Sequence, residues 1–283
     1  MKELFLAYLF KLRHDLTFRI TLIIGGGLAL LMTLLYFGLS FLLEVNMCNG
    51  LSMLISSLSP VQNFGLAVPI NLITFTVMEF NQGGIRNKII AGHSKAQIYA
   101  SIFLNGLVFT FALMIIYVLL SFGLGSAFGA IFDAVKPEAQ SMTTNYEQFY
   151  VLKMIVLACL CYLTIVSFTV FFATLFRNIG PAIPVIIISL LVCYLGATIV
   201  SAFAYDNETL LWVGRIVDPL YCISASEAAT VSQMVETETI EPMVLSSSTV
   251  TTETFVSGIC SNVFYTALFF AGGILIFSKR DIK

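Results

Sequence analysis

The chain has 283 residues, 58% of them hydrophobic and 11% charged, whereas about a quarter are charged in ordinary soluble domains, so that class is excluded. The formal net charge of −2 gives no sign of a polyanion-binding surface, and no nucleic-acid partner is expected. One helical membrane domain accounts for nearly the whole length.

In residues 1–19, Leu4, Phe5, Tyr8, Leu9, Leu12 and Leu16 recur at helical spacing, with Lys2, Lys11, Asp15 and Arg19 on much of the remaining surface. This reads as an amphipathic elbow helix lying on the membrane surface, or as a short solvated lead-in. Lys11, Arg13, His14, Asp15 and Arg19 interrupt any short apolar core, so a cleavable signal is not expected.

Apolar stretches at about 20–43, 58–78, 98–125, 151–176, 179–203 and 256–278 each reach the ~20 residues that a bilayer crossing needs. Six crossings place both termini on one side. Eleven of the fourteen Lys and Arg residues then share that side, all except Lys136, Lys153 and Arg215, and the positive-inside rule makes it cytoplasmic. Twelve of the sixteen acidic residues fall in the opposite segments, so the small net charge sums two unlike faces.

The inner loop 79–97 between the second and third spans is the most distinctive stretch. Gly83 and Gly84 let the chain leave the membrane helix, and a short helix follows with Ile85, Ile89 and Ile90 on an apolar face and Arg86, Asn87 and Lys88 on a polar one. Gly92 closes it as a C-terminal cap, with His93 and Lys95 beyond. Such a helix suits a groove in a soluble partner, or else a bed of lipid headgroups.

Apart from Lys153 at an outer edge and Glu79 at an inner one, the polar residues of the spans are uncharged. Asn71, Thr74 and Met78 share one face of the second, Thr164, Ser167, Phe171 and Thr174 one face of the fourth, and Asn105 and Thr110 lie in the third. These residues line a path for an amphipathic substrate, or they bond to their own helices and serve packing. Gly125 with Gly129, and Gly123 with Ala127, are packing signals. Ion relays, which need charged groups in the bilayer, are disfavoured. Of the cysteines, Cys159, Cys161, Cys193 and Cys260 read as small hydrophobes rather than metal ligands, and Cys48 and Cys222 fall in outer segments where pairing would need an oxidising compartment. No G-x-x-x-x-G-K-[ST] loop occurs, so any nucleotide energy must come from another chain.

The segment 204–255 is long for a connection and begins strongly apolar, with Trp212, the single tryptophan, suited to a membrane interface. From Glu236 to Thr254 it is acidic, rich in Ser and Thr and without apolar periodicity, as an exposed loop would be.

The run Gly84-Ile-Arg-Asn-Lys-Ile-Ile-Ala-Gly-His-Ser-Lys95 resembles the first cytoplasmic loop of bacterial ABC-2 type transporter permeases, especially the lantibiotic and bacitracin exporter group. Gly272-Gly273 followed by Phe277-Ser-Lys-Arg-Asp-Ile-Lys283 is similar to the C-terminus of many such permeases. The resemblance implies an all-α integral membrane protein of the ABC-2, type V exporter-like fold, with six transmembrane helices and an N-terminal elbow helix. It further implies a second permease copy or a related permease, and two separate ABC ATPase subunits that carry ATP and Mg, with no cofactor bound by this chain.

Residues 84–94 would then be the coupling helix, so that Gly84, Ile85, Arg86, Asn87, Lys88, Ile89, Ile90, Gly92 and His93 meet the ATPase. Arg177 and Asn178 would form a second, smaller contact, and Glu79 would bond to the coupling helix. The 204–255 segment would include re-entrant helices capping the cavity. The expected function is non-catalytic: the permease subunit of an exporter of an amphipathic peptide, drug or lipid-like molecule in the bacterial cell membrane. A stand-alone channel or facilitator, and a membrane sensor or immunity scaffold, are the competing classes.

Overall fold

A computed structural model describes residues 2–58, 67–137, 140–141, 145–146, 149–176, 179–203, 247–248 and 252–279. The described residues are about 91% helical, and the protein is an all-α, multi-pass membrane protein. Helix α1 spans Lys2–His14, α2 Leu16–Leu43, α3 Gly50–Leu58, α4 Ala67–Asn81, α5 Gly84–Ile90, α6 Lys95–Val135, α7 Tyr150–Leu175, α8 Ile179–Phe203 and α9 Thr252–Lys279. Two short parallel pairings, β1 (Val45–Asn46) with β2 (Gln140–Ser141) and β3 (Asn145–Tyr146) with β4 (Ser247–Ser248), tie connections together.

Helices α2, α6, α7 and the described length of α9 are each long and apolar enough to cross a bilayer. Helix α4 has 15 residues, about 22 Å, and falls short of a bilayer core by itself. The expected second span at 58–78 is therefore not seen as one described helix. Helix α3 is described as far as Leu58, and residues 59–66 between it and α4 lie outside the described residues. Helix α6 begins before and ends beyond the apolar stretch 98–125 expected as the third span. With no proline before Pro137 and Ala127, Phe128, Ala130, Ile131 and Phe132 continuing the helix, α6 runs for 41 residues, roughly 60 Å.

Interior and exterior are sorted by size and polarity. Along α2 the buried residues are Thr21, Gly25, Ala29, Thr33 and Ser40, whereas Ile23, Ile24, Leu30, Leu31, Leu34 and Leu35 face outward. In lipid, large apolar side chains lose little by facing out, and small ones let backbones approach. Helix α7 lies at the centre, against α3, α4, α6, α8 and α9. Its seam with α9 is polar: Thr164 Oγ1 donates to Asn262 Oδ1 at 2.8 Å and lies 3.2 Å from Thr266 Oγ1.

Glycines act selectively. A Cβ on Gly129 would run into the backbone carbonyl of Cys48, and one on Gly125 would press Met53, which lets α3 and its lead-in lie directly on α6. Gly123 meets nothing within 4 Å and Ala127 is exposed, so that pair, expected to pack, serves no contact here. Cys48 is a free thiol, 1% exposed, with Ser40 Oγ and the Thr33 carbonyl as neighbours. Its suggested partner Cys222, the re-entrant region 204–246 and the side chain of Cys193 lie outside the described residues. Cys161 is buried as expected of a small hydrophobe, while Cys260 faces out.

Gly129→Ala is expected to lower stability by about 1–3 kcal/mol, since a backbone carbonyl yields less readily than a side-chain tip. Gly123→Ala is expected to be neutral or to stabilise by about 0.5–1 kcal/mol through helix propensity. Thermal unfolding of the two purified variants in one detergent separates these outcomes.

Candidate functional site

The ends of α1, α5, α6 and α9 that carry basic residues converge, with the Glu79 end of α4, at one end of the molecule. Their convergence begins with a break in the chain at Asp15, where the carboxylate caps α2 by accepting from the Thr17 amide at 3.0 Å. Helix α1 thereby folds back, and Leu4, Tyr8 and Leu12, four apart, bury against α6 and α2. One face of the expected elbow helix belongs to the protein core, with Leu6 and Phe10 left outside.

Helix α4 brings Glu79 to this junction in its last turn. Gly83, at φ +70, reverses the chain at once, as only a residue tolerant of left-handed backbone does without strain. The next residue is glycine for a different reason: a Cβ on Gly84 would lie 2.6 Å from Glu79 Oε2. Helix α5 follows, then stops in a Schellman arrangement. The Gly92 amide donates to Ile89 O, the His93 amide donates to Lys88 O, and Gly92 takes φ +90, so the expected capping role of Gly92 holds. Ser94 and Gln97 form a capping box that starts α6 directly.

Glu79, 2% exposed, accepts from two lysines on two other helices. Lys88 Nζ of α5 reaches Oε2 at 2.6 Å, and Lys11 Nζ of α1 reaches Oε1. The Lys88 ammonium also sits 3.4 Å from the centroid of the Tyr8 ring, a cation–π contact. Burial alone would raise the Glu79 carboxyl, but the bonds and charges of Lys11 and Lys88 outweigh it and hold the group below its ordinary value. Burial pulls the Lys88 ammonium down, with Glu79 opposing, and burial, then the Glu79 charge, pushes the Tyr8 phenol far up.

A second tie joins the loop to the far end of the chain. Lys95 Nζ donates to the Ser278 carbonyl at 3.0 Å, placing a cation at the C-terminal end of α9. Phe277, 1% exposed, packs against Phe80 and Tyr99, and Gly273 leaves the space that the Tyr99 ring occupies.

Among the expected coupling residues, Ile85 is buried, Ile89 half-buried, and Lys88 turned inward to Glu79. The expected division into an apolar and a polar face is thus corrected: Ile85, Lys88 and Ile89 face the protein, and Arg86, Asn87 and Ile90 face outward with Gly92, beside the half-buried His93. Burial of Lys88 follows from Glu79, whose charge cannot be left unpaired at that depth. Arg177 and Asn178 lie outside the described residues.

The polar residues of the spans separate into two groups. Thr164, Ser167 and Phe171 lie at or beside the α7–α9 seam, Thr164 bonded to Asn262 and Phe171 against Phe269. Thr110 donates to the Gly106 carbonyl and Thr74 to the Ile70 carbonyl, within their own helices. For these residues the packing alternative describes the structure better than a shared path. Asn71 and Asn105, in contrast, line one small cavity between α2, α4 and α6.

Lys11 and Tyr8 were missed as members of the charged junction. The signal was available: they are three residues apart on one face of α1, and Glu79 is an acidic residue at the inner edge of a span. No family model, curated protein or solved structure matches the chain. Among the described residues no cluster of metal-ligating side chains occurs.

Glu79→Gln is expected to cost about 3 kcal/mol, because Lys88 keeps its buried site and loses its carboxylate, while the 43% exposed Lys11 side chain adds little. Since the folded-state value of Glu79 is depressed, its contribution is full at neutral pH and is lost as pH falls below 4.5 through that depressed value. Unfolding midpoints measured across pH 3–7 (about that range, set by the linkage) should converge between wild type and Glu79→Gln at the acid end.

Proposed function

We propose that the protein is the permease subunit of an ATP-driven transporter, and that α5 is the element through which a separate ATPase moves it. The observation that carries this reading is the mounting of α5. It is a seven-residue helix with Arg86, Asn87 and Ile90 presented outward, while its opposite side is fixed by Ile85 in the core and by Lys88 on Glu79. A loop merely resting on headgroups has no need of such bracing.

On this reading, a push on Arg86, Asn87 or Ile90 reaches α4 through Glu79 and α1 through Lys11. It also reaches α6 through the capped turn at Ser94, and α9 through Lys95 and Phe277. The resemblance of 84–95 and of the C-terminus to ABC-2 permeases supports the same assignment, as does the convergence of the basic helix ends. The proposal includes six crossings, with α4 and α8 joining the four long helices, and both termini on the cytoplasmic side of a bacterial membrane. It includes a second permease chain and an amphipathic cargo. Catalysis belongs to the partner, with ATP and Mg bound there and no catalytic residue on this chain.

Arg86→Glu combined with Ile90→Asp alters only outward side chains. It is expected to leave membrane insertion and the unfolding midpoint unchanged and to reduce co-purification of an ABC-type ATPase at least roughly tenfold, the loss of ~1.4 kcal/mol. Mass spectrometry of the complex extracted from the native host in mild detergent gives the readout. An ATPase retained at wild-type stoichiometry would remove α5 from the interface, and absence of any ATPase from the wild type would turn the reading to a channel or a sensor.

A further inference from the structure

The corner where α1 turns into α2 carries basic charge that the fold does not neutralise. Arg13 and Arg19 stand on either side of the break at Asp15, both exposed, and among the described residues neither is in an ion pair. Arg19 Nε donates to the Arg13 carbonyl at 3.3 Å. The Arg19 side chain therefore turns back from the first turns of α2 toward the end of α1, which brings the two basic residues to one place on the surface. A long basic side chain that bends away from an apolar run toward the polar end of its helix is snorkelling.

The acids nearby do not cancel this charge. Asp15 uses Oδ1 to cap α2, and Lys11 and Lys88 share the single carboxylate of Glu79. Lys11, Arg13, Arg19 and Lys88 against Asp15 and Glu79 leave a surplus of two positive charges. The surface beside the arginines is apolar. Leu16, Ile20 and Ile23, spaced to share one face of α2, are all exposed, as is Phe10 on α1. Helix α2 is long and apolar enough to cross a bilayer, so this stripe faces acyl chains and the arginines beside its start lie at the level of the headgroups. Guanidinium forks suit phosphate oxygens, and an apolar stripe directly beside them suits the chains of the same molecule. An acidic protein surface would match the charge and not the stripe.

We propose that this corner binds an anionic phospholipid, with the Arg13 and Arg19 guanidiniums on its phosphate and an acyl chain along Leu16, Ile20 and Ile23. The preference over a zwitterionic lipid is electrostatic. A choline headgroup brings its own positive charge to the two arginines, whereas a glycerol headgroup brings none. The site belongs to α1 and α2 and is independent of any ATPase partner.

The test follows binding of the first lipid to the full chain in a non-ionic detergent by native mass spectrometry, with dioleoylphosphatidylglycerol or dioleoylphosphatidylcholine as the probe. Phosphatidylglycerol is expected to bind at least about tenfold more tightly, the gain that two arginines give beside an anionic headgroup. Arg13→Gln with Arg19→Gln is expected to abolish that preference. Arg86→Gln with Lys279→Gln removes the same charge from the same end of the molecule and is expected to keep it. All four side chains are exposed, so the unfolding midpoints should stay at the wild-type value, and the wild-type comparison of the two lipids tests the proposal without any variant. Equal binding of the two lipids, a preference unaltered in the Arg13 and Arg19 variant, or equal losses in both double variants would overturn the proposal and leave the corner to solvent or to an acidic partner protein.

Discussion

One buried carboxylate organises the basic end of this protein. Glu79 cannot stay charged at 2% exposure without partners, and the two it takes come from helices far apart in sequence. Lys88 fixes the short helix α5 beneath α4, and Lys11 fixes the elbow beside them. The close approach of α5 depends in turn on Gly84, where any side chain would displace the carboxylate. A single charge, two lysines and a glycine thus turn three helix ends into one body, on which the outward residues of α5 are carried.

The remainder of the molecule follows membrane logic. Since lipid offers no hydrophobic gain to helix association, the helices meet where small or polar residues allow close approach or supply bonds. Gly25, Gly106, Gly125 and Gly129 provide the first, and the Thr164–Asn262–Thr266 cluster the second. Polar residues that the sequence alone left divided between a path and packing fall mainly to packing, because each hydroxyl finds a carbonyl on its own helix or a neighbour's amide. The exception is Asn105, whose buried side-chain oxygen has no hydrogen-bond partner among the described residues.

Much of the architecture was legible from residue order. Composition and runs of apolar residues identified the four long membrane helices, since the bilayer imposes a length and a polarity that no local context alters. The turn chemistry of the loop was equally local: Gly83 at the reversal and Gly92 at the cap need φ above zero, and glycine alone meets that need cheaply. The ends of α6 were less legible. Hydropathy marks where a helix is apolar, whereas helix α6 stops where Lys136 and Pro137 end it, ten residues past the apolar limit expected at 125 (on the order of three turns).

The orientation of α5 shows where residue order stops being informative. Its composition of three isoleucines, an arginine, an asparagine and a lysine divides by chemistry into an apolar and a polar face, but Lys88 is drawn inward and Ile90 left outside. Sequence determined that a short helix lies between two glycine turns, that basic residues gather at helix ends, and that an acidic residue closes the second apolar stretch. Only the tertiary structure decided which lysines neutralise that acid, which face of α5 remains free, and that Asn71 and Asn105 meet at one cavity. The reason is physical: backbone preferences and hydropathy act within a few residues, whereas the pairing of a buried charge depends on whatever the fold brings within reach.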